Sequence, residues 1–156
     1  MKKHLYWLTL MVFISFNAIA SDDSDRAKIK KTARLYIESQ IQVNSKLMES
    51  ALDRRLAKRT YWTNKAGEEI ILESDYEIMI KVADSYNKDG DRFPENPKIQ
   101  IDILDTEQNV ASVKLTVDDW VDYMHLYKNK AGEWKIINVL WQFHNTLKHS
   151  SAVSGS

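Results

Sequence analysis

The strongest hydrophobic pattern in the chain spans residues 120–143, where two apolar runs flank the turn Asn129-Lys130-Ala131-Gly132. Both runs are rich in aromatic and β-branched residues, which suit a pleated, half-buried surface. We therefore predict an antiparallel hairpin at the centre of a sheet. The second run is apolar at almost every position, so each of its faces needs a covering layer. A homodimer would supply one of them.

Two more strands are predicted before this hairpin, because apolar and polar residues alternate at residues 99–103 and 113–117. Earlier in the chain, residues 58–62 and 69–72 flank the turn 64–67 and predict a shorter hairpin. The predicted strands are therefore those of a short hairpin followed by four sequential antiparallel strands.

Three segments show helical periodicity instead. In the first, apolar residues recur at helical spacing from Ile29 to Ile41, with Asp25 as the candidate N-cap and an end near Asn44. A second, shorter helix should follow, capped by Ser45.

A capping box opens the third helix, because Ser74 and Glu77 have the required spacing. The order of elements is helix, helix, short hairpin, helix and four strands. Helices segregated from sequential antiparallel strands indicate the α+β class.

The N-terminus has the pattern of a secretory signal peptide. Lysines at positions 2 and 3 precede an apolar run at residues 5–16, and Ala18-Ile19-Ala20 has the small residues of a cleavage site. We expect cleavage after Ala20, which would make the mature protein periplasmic or secreted. The run is short for a membrane span, although an uncleaved anchor is the alternative.

The predicted cleavage site and the limits of the predicted elements divide the chain into three segments. Residues 1–20 are the predicted signal peptide, residues 25–145 the folded domain, and residues 146–156 a Ser-rich tail that we expect to be disordered.

Composition narrows the classes of function. The 22 basic residues equal the 22 acidic ones, so bulk charge gives no reason to expect nucleic acid or an anionic membrane as a partner, and we expect no membrane association after cleavage. The absence of cysteine excludes disulfides, zinc–thiolate sites, thiol catalysis and lipid attachment at a lipoprotein cysteine.

Two regions of the sequence carry a resemblance. They are Ala-Leu-Asp-Arg-Arg-Leu-Ala-Lys-Arg at residues 51–59, and Asp-Tyr-Met-His-Leu at 122–126 followed by Gly-Glu-Trp-Lys-Ile at 132–136. Over residues 29–143 the chain resembles the nuclear transport factor 2-like superfamily, shared with ketosteroid isomerase, and within it the family named putative lumazine-binding. The His-Pro pair usual in the first region is missing here.

The resemblance implies a cone-shaped α+β fold, in which three N-terminal helices pack on a curved, mainly antiparallel sheet. It implies no single activity, because this fold hosts enzymes, binding proteins and transport factors. A ketosteroid isomerase-like site would need a tyrosine donor, a carboxylate base and a protonated acid. By resemblance Tyr36 occupies the tyrosine position, whereas the other two fall near Thr60 and Met124, which cannot ionise. We therefore predict no catalytic residue.

Two other candidate sites each lack a feature that their chemistry requires. His125 and Asp122 are three residues apart on a strand, which places them on opposite faces. Residues 87–91 begin like a calcium loop, but Arg92 stands where glycine is required. We predict no metal or cofactor.

A basic cluster is expected to be a solvated face paired with nearby acids; its members are Arg54, Arg55, Lys58 and Arg59.

We expect an apolar cavity between sheet and helices, because the fold that the chain resembles often keeps one there. The candidate lining residues are aromatic or methionine: Tyr36, Tyr61, Trp62, Met79, Met124 and Trp141. The predicted function is a non-catalytic domain that binds a small apolar or aromatic ligand. The alternatives are an isomerase or dehydratase using Tyr36 with Asp122 or His125, and a protein-interaction module.

Overall fold

The computed structural model describes residues 14–151, with side chains from residue 23 onwards. Three helices pack against a six-stranded, curved open sheet, as the α+β prediction requires. The helices are α1 (Ile14–Ile41), α2 (Ser45–Ala51) and α3 (Tyr76–Ser85). The strands are β1 (Leu52–Thr63), β2 (Glu69–Ser74), β3 (Ile99–Glu107), β4 (Val110–Val117), β5 (Trp120–Lys128) and β6 (Trp134–Phe143).

The sheet order is β2-β1-β6-β5-β4-β3, so the hairpin of β5 and β6 lies at the centre, as predicted. All neighbours are antiparallel except β1 and β6, which run parallel and join the two halves of the chain. Register shifts interrupt the pairing of β1 with β6, of β3 with β4 and of β5 with β6. Such irregularities bend strands and so contribute to the curvature that leaves room above the concave face.

Two hairpin turns have the same sequence, Asn-Lys-Ala-Gly-Glu, and the same local bonding. In the β5–β6 turn, the Asn129 side-chain oxygen accepts from the backbone N–H groups of Ala131 and Glu133, both at 3.0 Å. Gly132 has a φ of +79°, a left-handed conformation that glycine adopts without strain. These contacts are local, which is why the sequence predicted both turns correctly.

The core lies between the helices and the concave face of the sheet. Tyr36 and Ile37 of α1 are completely buried, as are Leu115 of β4 and Val139 of β6. Truncating one of these aliphatic side chains to alanine should destabilise the fold by about 2–5 kcal/mol.

The predicted start of the first helix is wrong. Asp25 lies inside α1, and its carboxylate accepts from Lys128 Nζ at 2.7 Å and from Trp134 Nε1 at 3.2 Å. The tertiary ion pair therefore explains this residue better than capping does. The helix ends at Ile41, before the predicted Asn44.

The caps of the next two helices are each one residue away from their predicted positions. Asn44, and not Ser45, caps α2 by accepting from the N–H of Lys46. Asp75, and not Ser74, caps α3 by accepting from the N–H of Ile78. In both cases an Asx side chain takes the capping position in place of the adjacent serine, so the predicted capping box of Ser74 and Glu77 does not form.

The expectation of a disordered tail from residue 146 is wrong for its first six residues. A short 3₁₀ turn, Thr146–Lys148, leads to His149, which is only 2% exposed. Ser150 then pairs with Thr63 of β1. The hydrogen bonds and aromatic contacts of His149 give this segment a fixed position, and residues 152–156 lie outside the described part of the chain.

Most of the predicted signal peptide, residues 1–13, also lies outside the described residues, and α1 begins within its remainder. Across residues 14–151, no helix combines the length and the apolar character needed to span a bilayer.

Candidate ligand-binding site

A cavity of about 190 Å³ opens between the helices and the concave face of the sheet. Its lining is mostly apolar and aromatic, with side chains from both layers: Gln40, Lys58, Ser74, Met79, Val82, Tyr86, Trp120, Trp141 and Phe143. Apolar walls with a few polar groups are the usual composition of small-molecule sites.

A buried ion pair forms the polar part of this site. Lys58 Nζ donates to Asp122 Oδ1 at 2.5 Å and to the Tyr36 hydroxyl at 2.7 Å. The Trp120 indole donates to the other carboxylate oxygen, Asp122 Oδ2, at 2.8 Å. The Asp122 side chain is fully buried, whereas that of Lys58 is 10% exposed. Lys58 is therefore the member of the pair that the cavity reaches.

Strand alternation explains how these groups meet. Leu56, Lys58 and Thr60 share the buried face of β1, and Asp122 shares the buried face of β5 with Met124. Only β6 separates the two strands, so the pair spans about 10 Å of sheet, at about 4.8 Å per strand. The long lysine side chain can cover that distance.

Burial and the charge of Asp122 shift the pKa values of Lys58 and Tyr36. Desolvation lowers the pKa of the Lys58 ammonium, and the Asp122 carboxylate partly offsets this effect. Burial, reinforced by the Asp122 charge, raises the pKa of the Tyr36 hydroxyl well above its ordinary value, although a hydrogen bond from Gln40 opposes the increase. Tyr36 therefore keeps its proton at neutral pH.

Two aromatic rings also face the ammonium. Lys58 Nζ lies 4.9 Å from the centre of the Trp141 ring and 5.4 Å from that of Tyr36. A cation close to a desolvated aromatic face gains electrostatic stabilisation. Trp141 therefore contacts the Lys58 ammonium and also forms part of the apolar cavity lining.

The six predicted lining residues separate into three groups. Met79 and Trp141 line the cavity. Tyr36 and Met124 are buried in the core, Tyr36 reaching the site through Lys58. Tyr61 and Trp62 contact the His149 ring at centroid distances of 4.5 and 5.6 Å, and neither belongs to the cavity lining.

The prediction that Lys58 lies on a solvated face is wrong, because its side chain is buried. Its three cluster neighbours do pair with acids: Arg54 with Glu77, Arg55 with Asp53 and Arg59 with Glu73. Lys58 itself points to the buried side of β1. The alternation of Leu56, Lys58 and Thr60 was the signal that could have identified it, because residues two apart share a face of a strand.

In the described part of the chain, no hydrogen bond joins the residues of the predicted enzyme alternative to one another. Tyr36 and Asp122 are both bonded to Lys58, which lies between them. His125 is exposed on the opposite face of β5, as predicted, with its Nδ1 3.1 Å from the Asn138 side-chain nitrogen. His125 therefore cannot act in the cavity.

The residues that resembled a calcium loop are bonded to protein groups. The Asn87 side chain accepts from the N–H of Arg92 and donates to the Ile41 carbonyl. In the described part of the chain, no group of three or more histidine, aspartate or glutamate side chains is arranged to hold a metal ion.

Solved structures with the same fold have low sequence identity to this chain. A nuclear transport factor 2-like protein of unknown function from Silicibacter pomeroyi has a TM-score of 0.64 at 12% identity, covering 79% of this chain and 98% of its own. Another of unknown function, from Shewanella baltica, has a TM-score of 0.59 at 17% identity, with coverages of 78% and 94%. These similarities show the fold.

The sequence itself supplies the family. A search of curated proteins found no match. The family described as putative lumazine-binding matches residues 24–142, which include both members of the buried ion pair and most of the cavity lining. The fold of this chain is that of the nuclear transport factor 2-like proteins, and the chain belongs to the putative lumazine-binding family.

Proposed function

We propose that this protein binds a small, neutral, planar aromatic compound in the cavity beside Lys58. The observation that carries the proposal is the ion pair of Lys58 and Asp122 at the wall of an aromatic cavity. At about 190 Å³ the cavity falls below the roughly 300–1,000 Å³ of drug-sized sites, which favours a compound of one or two rings.

Lys58 has one hydrogen-bond donor left for such a compound. An ammonium carries three N–H groups. Among the described residues, Asp122 and Tyr36 accept two of them, and no third acceptor is present. A ligand carbonyl or ring nitrogen near Nζ would complete the set and orient the ring.

The charge balance favours a neutral ligand. The positive charge of Lys58 is matched by Asp122 at 2.5 Å, so the pair has no net charge with which to compensate an anion. The aromatic lining, which includes Tyr86, Trp120 and Trp141, favours a flat ring.

The family name suggests a pteridine. Lumazine is flat and neutral, and its carbonyl oxygens and ring nitrogens are acceptors, so it matches the three features inferred from the site. We therefore take it as the first probe of the cavity and keep other small aromatic carbonyl compounds as the wider class.

Calorimetric titration of the purified protein with lumazine tests this proposal. The variant Lys58→Met/Asp122→Leu removes the donor without leaving an unpaired buried charge. Its affinity should fall by about tenfold or more, because a hydrogen bond to a charged group contributes roughly 1.5–3 kcal/mol. Arg59→Met is the matched control, since Arg59 neighbours Lys58 on β1 but pairs with Glu73.

The control should bind as tightly as the unmodified protein. If lumazine and a panel of small aromatic carbonyl compounds all fail to bind saturably, the proposed function is wrong. If they bind equally well to the double variant, the role given to Lys58 is wrong.

We further propose that the protein is exported after cleavage behind Ala20. The pattern of residues 1–20 supports this proposal. The cut would leave Asp25 and its bonds to Lys128 and Trp134 in the mature chain. Cell fractionation with an intact mass of the recovered protein tests it, and an uncut cytoplasmic chain would contradict it.

A homodimer formed through the outer face of the sheet is also proposed. Tyr123 and Leu140 are paired across β5 and β6 and are 44% and 57% exposed. They give the central hairpin an apolar outer surface that a second copy could cover. Sedimentation equilibrium tests this arrangement, and a monomer mass at all accessible concentrations would contradict it.

A further inference from the structure

We propose that Lys58 is a reactive amine that condenses with an aldehyde or ketone seated in the aromatic cavity, forming an imine. The inference rests on the proposed ligand cavity and adds a covalent reaction to it. It assigns the ligand class as small aromatic carbonyl compounds, of which only aldehydes and simple ketones would react.

Access is the first argument. Lys58 lines the cavity, and its side chain is 10% exposed. Its Nζ lies 4.9 Å from the centre of the Trp141 ring, which also lines the cavity. A flat carbonyl compound packed on that wall would bring its carbonyl carbon close to the amine.

The proton acceptor is the second argument. Only the neutral amine is nucleophilic, so the ammonium must lose a proton, and Asp122 Oδ1 lies 2.5 Å away. Transfer of that proton replaces two buried charges with two neutral groups, which desolvation favours. Burial also lowers the pKa of Lys58, in the direction that the reaction needs.

The partners of the pair fix the geometry. Trp120 holds Asp122 Oδ2, which keeps Oδ1 directed at the amine. Tyr36 accepts a hydrogen bond from Nζ at 2.7 Å and is a positioning residue, since it does not line the cavity. The nitrogen is thus held between two fixed oxygens with its remaining direction open.

The reaction balances without an oxidant or reductant. Asp122 takes a proton from the ammonium, and the Nζ lone pair forms a bond to the carbonyl carbon. A proton moves from nitrogen to the former carbonyl oxygen, giving a carbinolamine. The protonated Asp122 then donates to that hydroxyl, the C–O bond breaks and water leaves. The products are an iminium cation on Lys58, one water and the Asp122 carboxylate.

Reductive trapping tests the inference. The full-length protein is incubated with benzaldehyde and sodium cyanoborohydride, and peptide mass mapping gives the labelling rate of each lysine. Lys114 is the internal reference, because its Nζ lies 5.9 Å from the Tyr123 ring but on the outer face of the sheet. Lys58 should be labelled at least about tenfold faster, because an aldehyde held in the cavity beside Nζ reacts at an effective concentration above that in solution.

Two further readouts separate chemistry from structure. The pH at which labelling of Lys58 reaches half its maximal rate should lie below the ordinary pKa of a lysine, and excess lumazine should protect Lys58 alone. Tyr36→Phe should slow labelling of Lys58 without changing that of Lys114. Lys58→Arg keeps the charge and should abolish the label at this position.

The outcomes distinguish the two proposals. Labelling of Lys58 no faster than that of Lys114, in a protein that binds lumazine, would overturn the reactive amine and leave the binding function intact. Fast, selective labelling in a protein that does not bind lumazine would support the reactive amine and overturn the pteridine as ligand. Failure of both would overturn both.

Discussion

At the scale of single residues, the pairing of Lys58 with Asp122 has a large energetic consequence. Each charge is buried, so each depends on the other for its stability. From the run of like charges, we predicted that Lys58 lies on the surface. The prediction was wrong because neighbouring residues on a strand lie on opposite faces, so Lys58 can be buried while Arg59 is partly exposed to solvent. Burial of a lysine depends on a partner from a distant strand, and Asp122 was visible in the sequence only as a possible partner of other groups.

Removing one member of the pair should therefore cost more than removing both. Asp122→Leu leaves a buried ammonium unpaired and should lower the free energy of unfolding by about 3–5 kcal/mol. Lys58→Met/Asp122→Leu should recover most of that loss. Urea denaturation of the two variants measures the difference. A double variant as unstable as the single one would contradict the pairing.

Asp53 should contribute to acid sensitivity. A hydrogen bond from Arg55 is the main cause that lowers its pKa from 3.8 to about 2, and the Tyr127 hydroxyl also donates to it. Because the folded-state pKa is depressed, this stabilisation is complete above the unfolded value and is lost as the pH falls through the folded one.

The corresponding measurement is the urea midpoint between about pH 5 and about pH 2. The unmodified protein should lose stability over this range more steeply than Asp53→Asn, which cannot ionise. Identical slopes for the two proteins would show that Asp53 is not responsible.

At the scale of elements, local signals predicted the strands and turns well and the ends of the helices poorly. The hairpin turns are set by contacts within five residues, such as those of Asn129 in the β5–β6 turn. By contrast, Asp25 is explained by contacts with Lys128 and Trp134, more than a hundred residues away in the chain. Tertiary contacts of this kind override a local capping preference.

The C-terminal segment is the element that sequence reasoning missed most clearly. The Phe143 backbone N–H donates to His149 Nε2 at 2.7 Å, so the proton of the neutral ring lies on Nδ1, 3.0 Å from the Tyr61 carbonyl. The ring also contacts Trp141 and Phe143, which line the cavity. His149 therefore helps to hold this segment against the residues of the cavity wall, together with the pairing of Ser150 and Thr63.

His149→Ala should destabilise the protein by about 1–3 kcal/mol, because the Phe143 N–H would lose its partner in a partly buried place. His125→Ala is the control, since His125 is exposed, and its effect should stay within about 0.5 kcal/mol. Thermal unfolding followed by circular dichroism compares them. Equal effects would mean that the segment is not held by His149.

At the scale of the whole molecule, the two faces of the sheet differ in what covers them. The helices cover the concave face and leave the cavity, whereas the outer face exposes Tyr123 and Leu140. The apolar character of β6 predicted two covered faces, and the fold supplies one within the chain. The proposed dimer supplies the other.

Leu140→Glu should therefore shift the protein to a monomer without loss of lumazine binding, because the exposed Leu140 side chain lies on the outer face of β6, opposite the cavity that its neighbour Trp141 lines. Sedimentation equilibrium at several protein concentrations measures the shift. A variant that remains as dimeric as the unmodified protein would place the interface elsewhere.

The most direct test of the central claim is a crystal structure of the protein with lumazine bound. The account predicts that the ring lies against Trp141, with one acceptor atom about 2.7–3.2 Å from Lys58 Nζ and the ion pair to Asp122 intact. A ligand on the outer face of the sheet, or one in the cavity without contact to Lys58, would contradict it.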